Sequence, residues 1–269
     1  MSTTAASSSP MATVPLLRVV DLHKRFVLHN IGGRVVHALR GVDLEVHAGE
    51  HVALAGSSGA GKSSLLKCIH RTYLPDRGRV ELHRPAGSNP AGTATDVVDL
   101  VTLSDREIVA LRGREIGYVS QFLHAPARRG PLEIVVRAAM SRGMDHDTAR
   151  DAAAAALRRV LLDEALWDVH ATVLSGGERQ RVNLAAGTVS PPRVLLLDEP
   201  VSALDPANRE AALGLIADLN RQGVGVLAVF HDLDAIEQLA TRVVLMRDGR
   251  VADTGPPDRI LAQLTGVAR

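Results

Sequence analysis

Gly56-Ser57-Ser58-Gly59-Ala60-Gly61-Lys62-Ser63 fits the pattern G-x-x-x-x-G-K-[ST] without a gap. Glycines let a chain wrap an anion so that backbone N–H groups converge on it. A helix opening near Lys62 adds the positive end of its dipole. In that arrangement Lys62 brings its charge to the β- and γ-phosphates of a nucleotide, and the Ser63 hydroxyl is a ligand for Mg²⁺. Ser64 follows in the same turn, so residues 56–64 read as one nucleotide-binding stretch. The pattern sits between an apolar strand-like run at 51–55 and Leu65, Leu66 and Ile69 at helical spacing, the order of elements this chemistry needs. Lysine placement reinforces it, because two of the three lysines in an Arg- and Ala-rich chain, Lys62 and Lys67, fall here.

Two further constellations carry chemistry. The apolar run 194–197 ends in Asp198 and Glu199. A phosphate-loop enzyme needs one acid at a strand end to hold Mg²⁺ and another group to orient or deprotonate the attacking water. Adjacent residues point apart, so Asp198 can face the metal while Glu199 faces the water; a solvated acidic pair before Pro200 is the simpler alternative. Leu174-Ser175-Gly176-Gly177-Glu178-Arg179-Gln180-Arg181 is more specific. Ser175 and Glu178 also fit an ordinary capping box. Two glycines in a first helical turn are nonetheless unfavourable, by about 1 kcal/mol each in a helix interior. They make sense where bare backbone must approach an anion.

LSGGERQR is similar to the signature sequence of ATP-binding-cassette ATPases, and the family's other motifs occur in order. Residues 56–63 resemble the Walker A loop, Gln121 the Q-loop glutamine and 194–199 the Walker B strand. Ser202-Ala203-Leu204-Asp205 resembles the D-loop, His231 the switch histidine and Phe26 the aromatic that stacks on adenine. The resemblance spans about residues 16–255. It implies a P-loop NTPase nucleotide-binding domain: a RecA-like α/β core with an N-terminal antiparallel β subdomain and an inserted helical subdomain. It further implies ATP and Mg²⁺ as cofactors, with Gln121 joining Ser63 and Asp198 around the metal. Glu199 becomes the general base and His231 a contact to the γ-phosphate. Head-to-tail dimers, of one chain or with a related ATPase, would place Ser175 and Gly177 over the partner's nucleotide and Asp205 at the interface. The chain departs from the family pattern at Ala185-Ala186-Gly187, where relatives often carry a second arginine, and at Val201, where they often have threonine.

The elements that must position these residues are legible as alternating β and α patterns. Short strands are expected at 16–20, 34–39 and 42–46, with Gly32-Gly33 and Gly41 as turns. Ser104-x-x-Glu107 should open a helix to about Leu111, followed by a strand at 116–120. Alanine-rich helices, notably 148–162, read as a separate lobe. The runs 194–197 and 226–230 have the uninterrupted apolarity of strands buried on both faces of a parallel sheet. Between them Ala211, Ala212, Leu215, Ile216 and Leu219 share a helical face. Residues 1–15 read as a disordered tail and 84–95 as a surface insertion. The remainder, 16–269, reads as one domain, with a core of 16–121 and 172–269 and a helical subdomain of 122–171.

Composition narrows the partners. There are 31 basic and 30 acidic residues, and only 2% of the chain is aromatic, so no nucleic-acid partner is expected. A single cysteine, Cys68, leaves no disulfide framework and fits a reducing cytoplasm. Cys68 reads as a small buried hydrophobe, with a redox role beside the nucleotide as the alternative. The longest uncharged apolar runs, such as 224–230, fall far short of the ~20 residues that span a bilayer. Within the family, segments at 24–29, 73–76, 99–102, 118–123, 131–135 and 229–232 resemble the L component of the phosphonate carbon–phosphorus lyase system. That likeness implies lyase core subunits as partners and a part in making a ribose 1-methylphosphonate 5-triphosphate from ATP and methylphosphonate. The alternative is the ATPase of a lipoprotein-releasing or macrolide-export transporter, whose partner is an integral membrane permease. The loop 125–131, with Arg128 and Arg129, would then lie near the permease-facing groove.

Overall fold

The computed structural model describes residues 14–28, 32–85, 96–121 and 128–265. The tail through residue 13, most of the 84–95 insertion, the expected lobe boundary at 122 and much of the 125–131 loop lie outside the described residues.

The chain begins with β1 (Leu17–Leu28) and β2 (Arg34–Val46), then β3 (His51–Ala55), α1 (Lys62–Ile69), β4 (Arg77–Arg84) and β5 (Asp96–Asp99). Next come α2 (Asp105–Arg114), β6 (Ile116–Val119), α3 (Pro131–Ser141), α4 (His146–Arg159) and α5 (Gly176–Thr188). The last stretch holds β7 (Val194–Asp198), α6 (Pro206–Arg221), β8 (Gly225–Val229), α7 (Leu233–Leu239), β9 (Arg242–Arg247), β10 (Arg250–Gly255) and α8 (Pro257–Thr265).

Two sheets result. One is antiparallel, in the order β2-β1-β4-β5. The other runs β10-β9-β3-β8-β7-β6; its strands are parallel except for β10, which pairs antiparallel with β9 at the edge. Strands β3, β7 and β8 are buried throughout, as their uninterrupted apolarity predicts. Strand alternation divides their side chains between two cores. Val52, Leu54, Val194 and Leu196 pack with Leu65, Leu66 and Ile69 of α1 and with Leu17, Val42 and Leu82 of the antiparallel sheet. Ala53, Ala55, Leu195 and Leu197 face the other way, into the cluster that holds α6 and the α3–α4 helices.

The antiparallel sheet is larger than expected, with β1 running to Leu28 and not stopping at residue 20 and with β4 and β5 added, and it differs again at Gly41. Gly41 does not separate two strands; it lies inside β2 at φ 80°. Leu22 pairs with Val42 and His23 with Arg40, so Gly41 is the extra residue of a β-bulge, which the left-handed conformation accommodates. Pattern reading sees the glycine but not the partner strand that keeps pairing across it. The Ser104–Glu107 capping box forms as expected, with α2 extending three residues further, to Arg114. Such a cap contributes about 1 kcal/mol, useful to a helix as polar as α2. Asp145 caps α4 through Asp147 N and Thr148 N, so that helix starts two residues earlier and ends three residues earlier than its alanine run suggests. Cys68 is buried and its thiol is pushed up to about 12, chiefly by burial, which suits packing rather than redox chemistry.

Candidate active site

The phosphate loop leaves the end of β3 and runs into α1. Gly56 and Gly61 both have positive φ, and a Cβ on them would overlap the carbonyls of Met246 and Ala38 respectively. The loop is therefore pressed against β9 and β2, and glycine is required there by the protein as well as by phosphate. Gly61 is the N-cap of α1; that helix has no side-chain cap and no acidic residue in its first turn. Lys62 Nζ donates to the carbonyls of Gly56 at 2.7 Å and Ser57 at 2.9 Å, which holds the ammonium against the loop. Burial lowers the Lys62 pKa, while Glu199 and Asp198 oppose that shift. An uncapped helix start beside a fixed ammonium fits a polyphosphate.

Asp198 closes β7 and is 5% exposed. Ser63 Oγ donates to Asp198 Oδ1 at 2.8 Å, joining the end of the phosphate loop to the acidic strand. A hydroxyl and a carboxylate are hard oxygen donors of the kind Mg²⁺ takes alongside water and phosphate. Tyr118 Oη donates to the other carboxylate oxygen, Oδ2, at 3.1 Å. Burial, foremost, raises the Tyr118 pKa, so the phenol stays protonated.

Glu199 adopts φ 55°, a conformation non-glycine residues rarely take, and its N–H is held by the Val229 carbonyl at 3.0 Å. Strained backbone of this kind clusters at functional sites. Its carboxylate meets His231 Nε2 at 2.7 Å and Gln121 Nε2 at 3.0 Å. Two residues far apart in sequence thus converge on one acid. Gln121 is placed here on Glu199 and not on the Ser63–Asp198 pair, where the resemblance put it, because its amide N–H donates to the largely buried Glu199 carboxylate just past the end of β7. Phe26, on β1, is edge-on to Tyr73 with ring centroids 5.2 Å apart and has Lys24 Nζ 5.2 Å from its ring centre.

Ser175 and Glu178 do form the capping box, with Ser175 N donating to Glu178 Oε2 at 2.7 Å and Glu178 N to Ser175 Oγ at 3.3 Å. The box and the glycines are separate facts. A Cβ on Gly176 would meet nothing within 4 Å, and one on Gly177 would sit 3.0 Å from the Ala203 carbonyl. Asp205 caps α6 by accepting from Asn208 N at 3.1 Å and Asn208 Nδ2 at 2.6 Å.

Reading motifs missed three residues. Tyr118 falls within the 118–123 segment but in none of the motifs. Gln180 and Asn183 lie on the buried face of α5: Gln180 Nε2 donates to the Pro200 carbonyl at 3.0 Å and Asn183 Nδ2 to the Ser120 carbonyl at 2.6 Å. They pin the backbone beside Glu199 and Gln121. The only available signal was polar residues placed where α5 must face the sheet. The departure at Ala185-Ala186-Gly187 also has a physical setting. A Cβ on Gly187 would overlap Val119, so α5 lies unusually close to β6.

Comparison with known proteins agrees with this geometry. Residues 39–202 match the family model described as ABC transporter. The chain is 30% identical over 245 residues to the histidine/lysine/arginine/ornithine transport ATP-binding protein HisP of Escherichia coli, covering 91% of each. It is 36% identical to the methionine import ATP-binding protein MetN of Thermobifida fusca, covering 89% of this chain and 70% of that protein. The macrolide export ATP-binding/permease protein MacB of Chlorobium luteolum is also 36% identical, over 92% of this chain but 34% of MacB. Among solved structures, the dimeric post-hydrolysis state of the ATP-binding cassette MJ0796 bound to ADP and Pi aligns with a TM-score of 0.79 at 27% identity, over 90% of this chain and 98% of that one. This chain belongs to the ATP-binding-cassette transporter family as an ATPase domain of P-loop NTPase fold, with ATP and Mg²⁺ as its cofactors.

Proposed function

We propose that this chain is the ATP-hydrolysing subunit of a membrane transporter, acting as a head-to-tail dimer beneath a permease. The observation that carries the hydrolytic reading is the convergence of His231 and Gln121 on Glu199, beside the Ser63–Asp198 pair. The transport reading is supported by the relatives, which are named for histidine/lysine/arginine/ornithine transport, methionine import and macrolide export. These support the permease partner better than the carbon–phosphorus lyase partner suggested by local segments. Among the described residues no helix is long and apolar enough to cross a membrane, so the permease of this reading is a separate polypeptide or a separate part of one.

In this mechanism the Gly56–Gly61 backbone and Lys62 bind the β- and γ-phosphates of ATP. Ser63 and Asp198 would hold Mg²⁺, which would neutralise phosphate charge when bound. Glu199 accepts the proton of the attacking water on its carboxylate as the bond between the β–γ bridging oxygen and the γ-phosphorus breaks, and ADP leaves with that oxygen. His231 and Gln121 fix the orientation of that carboxylate. Ser175 and Gly177 of the facing subunit close over the phosphate. Affinity purification from native membranes and cytosol tests the assignment: co-isolation of an integral membrane protein is the expected result. Recovery of soluble lyase subunits in its place would return the chain to the lyase system.

A further inference from the structure

Tyr118 is one of two tyrosines in the chain, and hydrolysis of a phosphoanhydride requires no phenol. Its hydroxyl is nonetheless aimed at Asp198. Tyr118 pairs with Leu196 across β6 and β7, and Asp198 lies two residues beyond Leu196, on the same face of the sheet. That diagonal separation is within reach of an aromatic side chain. With Ser63 Oγ on Oδ1 at 2.8 Å and Tyr118 Oη on Oδ2 at 3.1 Å, each oxygen of a buried carboxylate has its own donor.

The ring that carries this hydroxyl is itself held. His70, just past the end of α1, stacks on Tyr118 with centroids 4.7 Å apart and planes 28° apart. The His70 carbonyl accepts from Arg112 Nε at 2.8 Å, and its Nδ1 lies 2.9 Å from Thr72 Oγ1. Both donors on Asp198 are thus referenced to α1: Ser63 belongs to its first turn, and Tyr118 is braced by the residue at its far end.

We propose that Tyr118 is a positioning residue for the divalent cation, its hydroxyl setting the rotation of the Asp198 carboxylate so that Oδ1 faces Ser63. The inference rests on Ser63 and Asp198 being the protein's metal ligands. With the carboxylate already turned, less reorganisation accompanies cation binding, and the benefit appears in metal affinity, not in the chemical step.

Tyr118→Phe keeps the ring and its stack and removes one oxygen. Binding of Mn²⁺ with ATP is measured by electron paramagnetic resonance in the full chain carrying Glu199→Gln, with Asp198→Asn as the reference. The Mg²⁺ dependence of hydrolysis is measured with Glu199 intact. Tyr118→Phe is expected to weaken Mn²⁺ binding and raise the half-saturating Mg²⁺ by about tenfold, equivalent to ~1.4 kcal/mol. The rate at saturating Mg²⁺ should stay within about twofold of wild type, as expected when ground-state binding alone is lost. Unchanged metal affinity in Tyr118→Phe, with or without a lower thermal midpoint, would overturn the positioning role when Asp198→Asn is impaired. Wild-type metal affinity in Asp198→Asn would instead overturn the ligand assignment on which the inference stands.

Discussion

In the proposed mechanism Glu199 concentrates the chemistry in one side chain and one unusual backbone conformation. Its φ of 55° turns the carboxylate out of the direction β7 would give it and toward His231 and Gln121. Such a conformation costs on the order of 1–3 kcal/mol and persists only where surrounding bonds enforce it. Here the Val229 carbonyl holds the Glu199 N–H, and Gln180 holds the Pro200 carbonyl just beyond. Glu199→Gln preserves shape while removing the proton acceptor of the proposed mechanism. Steady-state hydrolysis is expected to fall by about 10²–10⁴-fold, the usual contribution of a general base. ATP binding should survive, and size-exclusion chromatography with ATP should show a persistent dimer. A wild-type rate would remove Glu199 from that role.

At the scale of elements, β3 has a cost at one end and the site at the other. His51 opens the strand fully buried, with neither ring nitrogen hydrogen-bonded among the described residues and its ring 5.9 Å from that of Phe230. Burial drives its pKa down to about 3. His70 is also pushed down to about 3, by burial first and by Arg112 second. A histidine with a depressed folded pKa takes up its proton more readily when unfolded, so stability falls as pH drops below 6.5 and continues falling to about 3. Each histidine should cost about 2 kcal/mol between pH 7 and pH 5. Urea unfolding at the two pH values measures this, and His51→Leu should remove about half of the loss. An identical pH dependence in His51→Leu would show that His51 is not protonated on unfolding. Helix α5 illustrates the opposite economy, since its buried amides, Gln180 and Asn183, each satisfy a carbonyl next to the catalytic loops.

For the whole molecule, the arrangement of α5 points outward. Gly176 faces open space within this chain, whereas the Ser175–Glu178 box already secures the helix start. A diglycine that its own fold uses only at Gly177 is consistent with a second subunit closing on it. Gly177→Asp is expected to leave ATP binding to the isolated chain intact and to cut hydrolysis by about 10²–10³-fold, the scale of a lost anion-binding donor. Because the new Cβ would lie 3.0 Å from the Ala203 carbonyl, a thermal melt should accompany the assay. Full hydrolysis in a folded Gly177→Asp protein would exclude a site shared between subunits.

Local chemistry was readable in the linear chain wherever it depends on neighbours in sequence. The glycine loop, the uncapped helix behind it, the capping boxes at Ser104 and Ser175 and the doubly buried strands all follow from residue type and spacing over fewer than ten positions. Interactions that cross the fold were not readable, because no spacing encodes which side chains the sheet order brings together. Parallel pairing of β6, β7 and β8 is what sets Tyr118 beside Asp198 and His231 against Glu199. Gly41 looked like a turn until β1 paired across it, and Gly187 mattered only once α5 lay on β6. Periodicity tells a residue which face it occupies; only the packed sheets decide what that face meets.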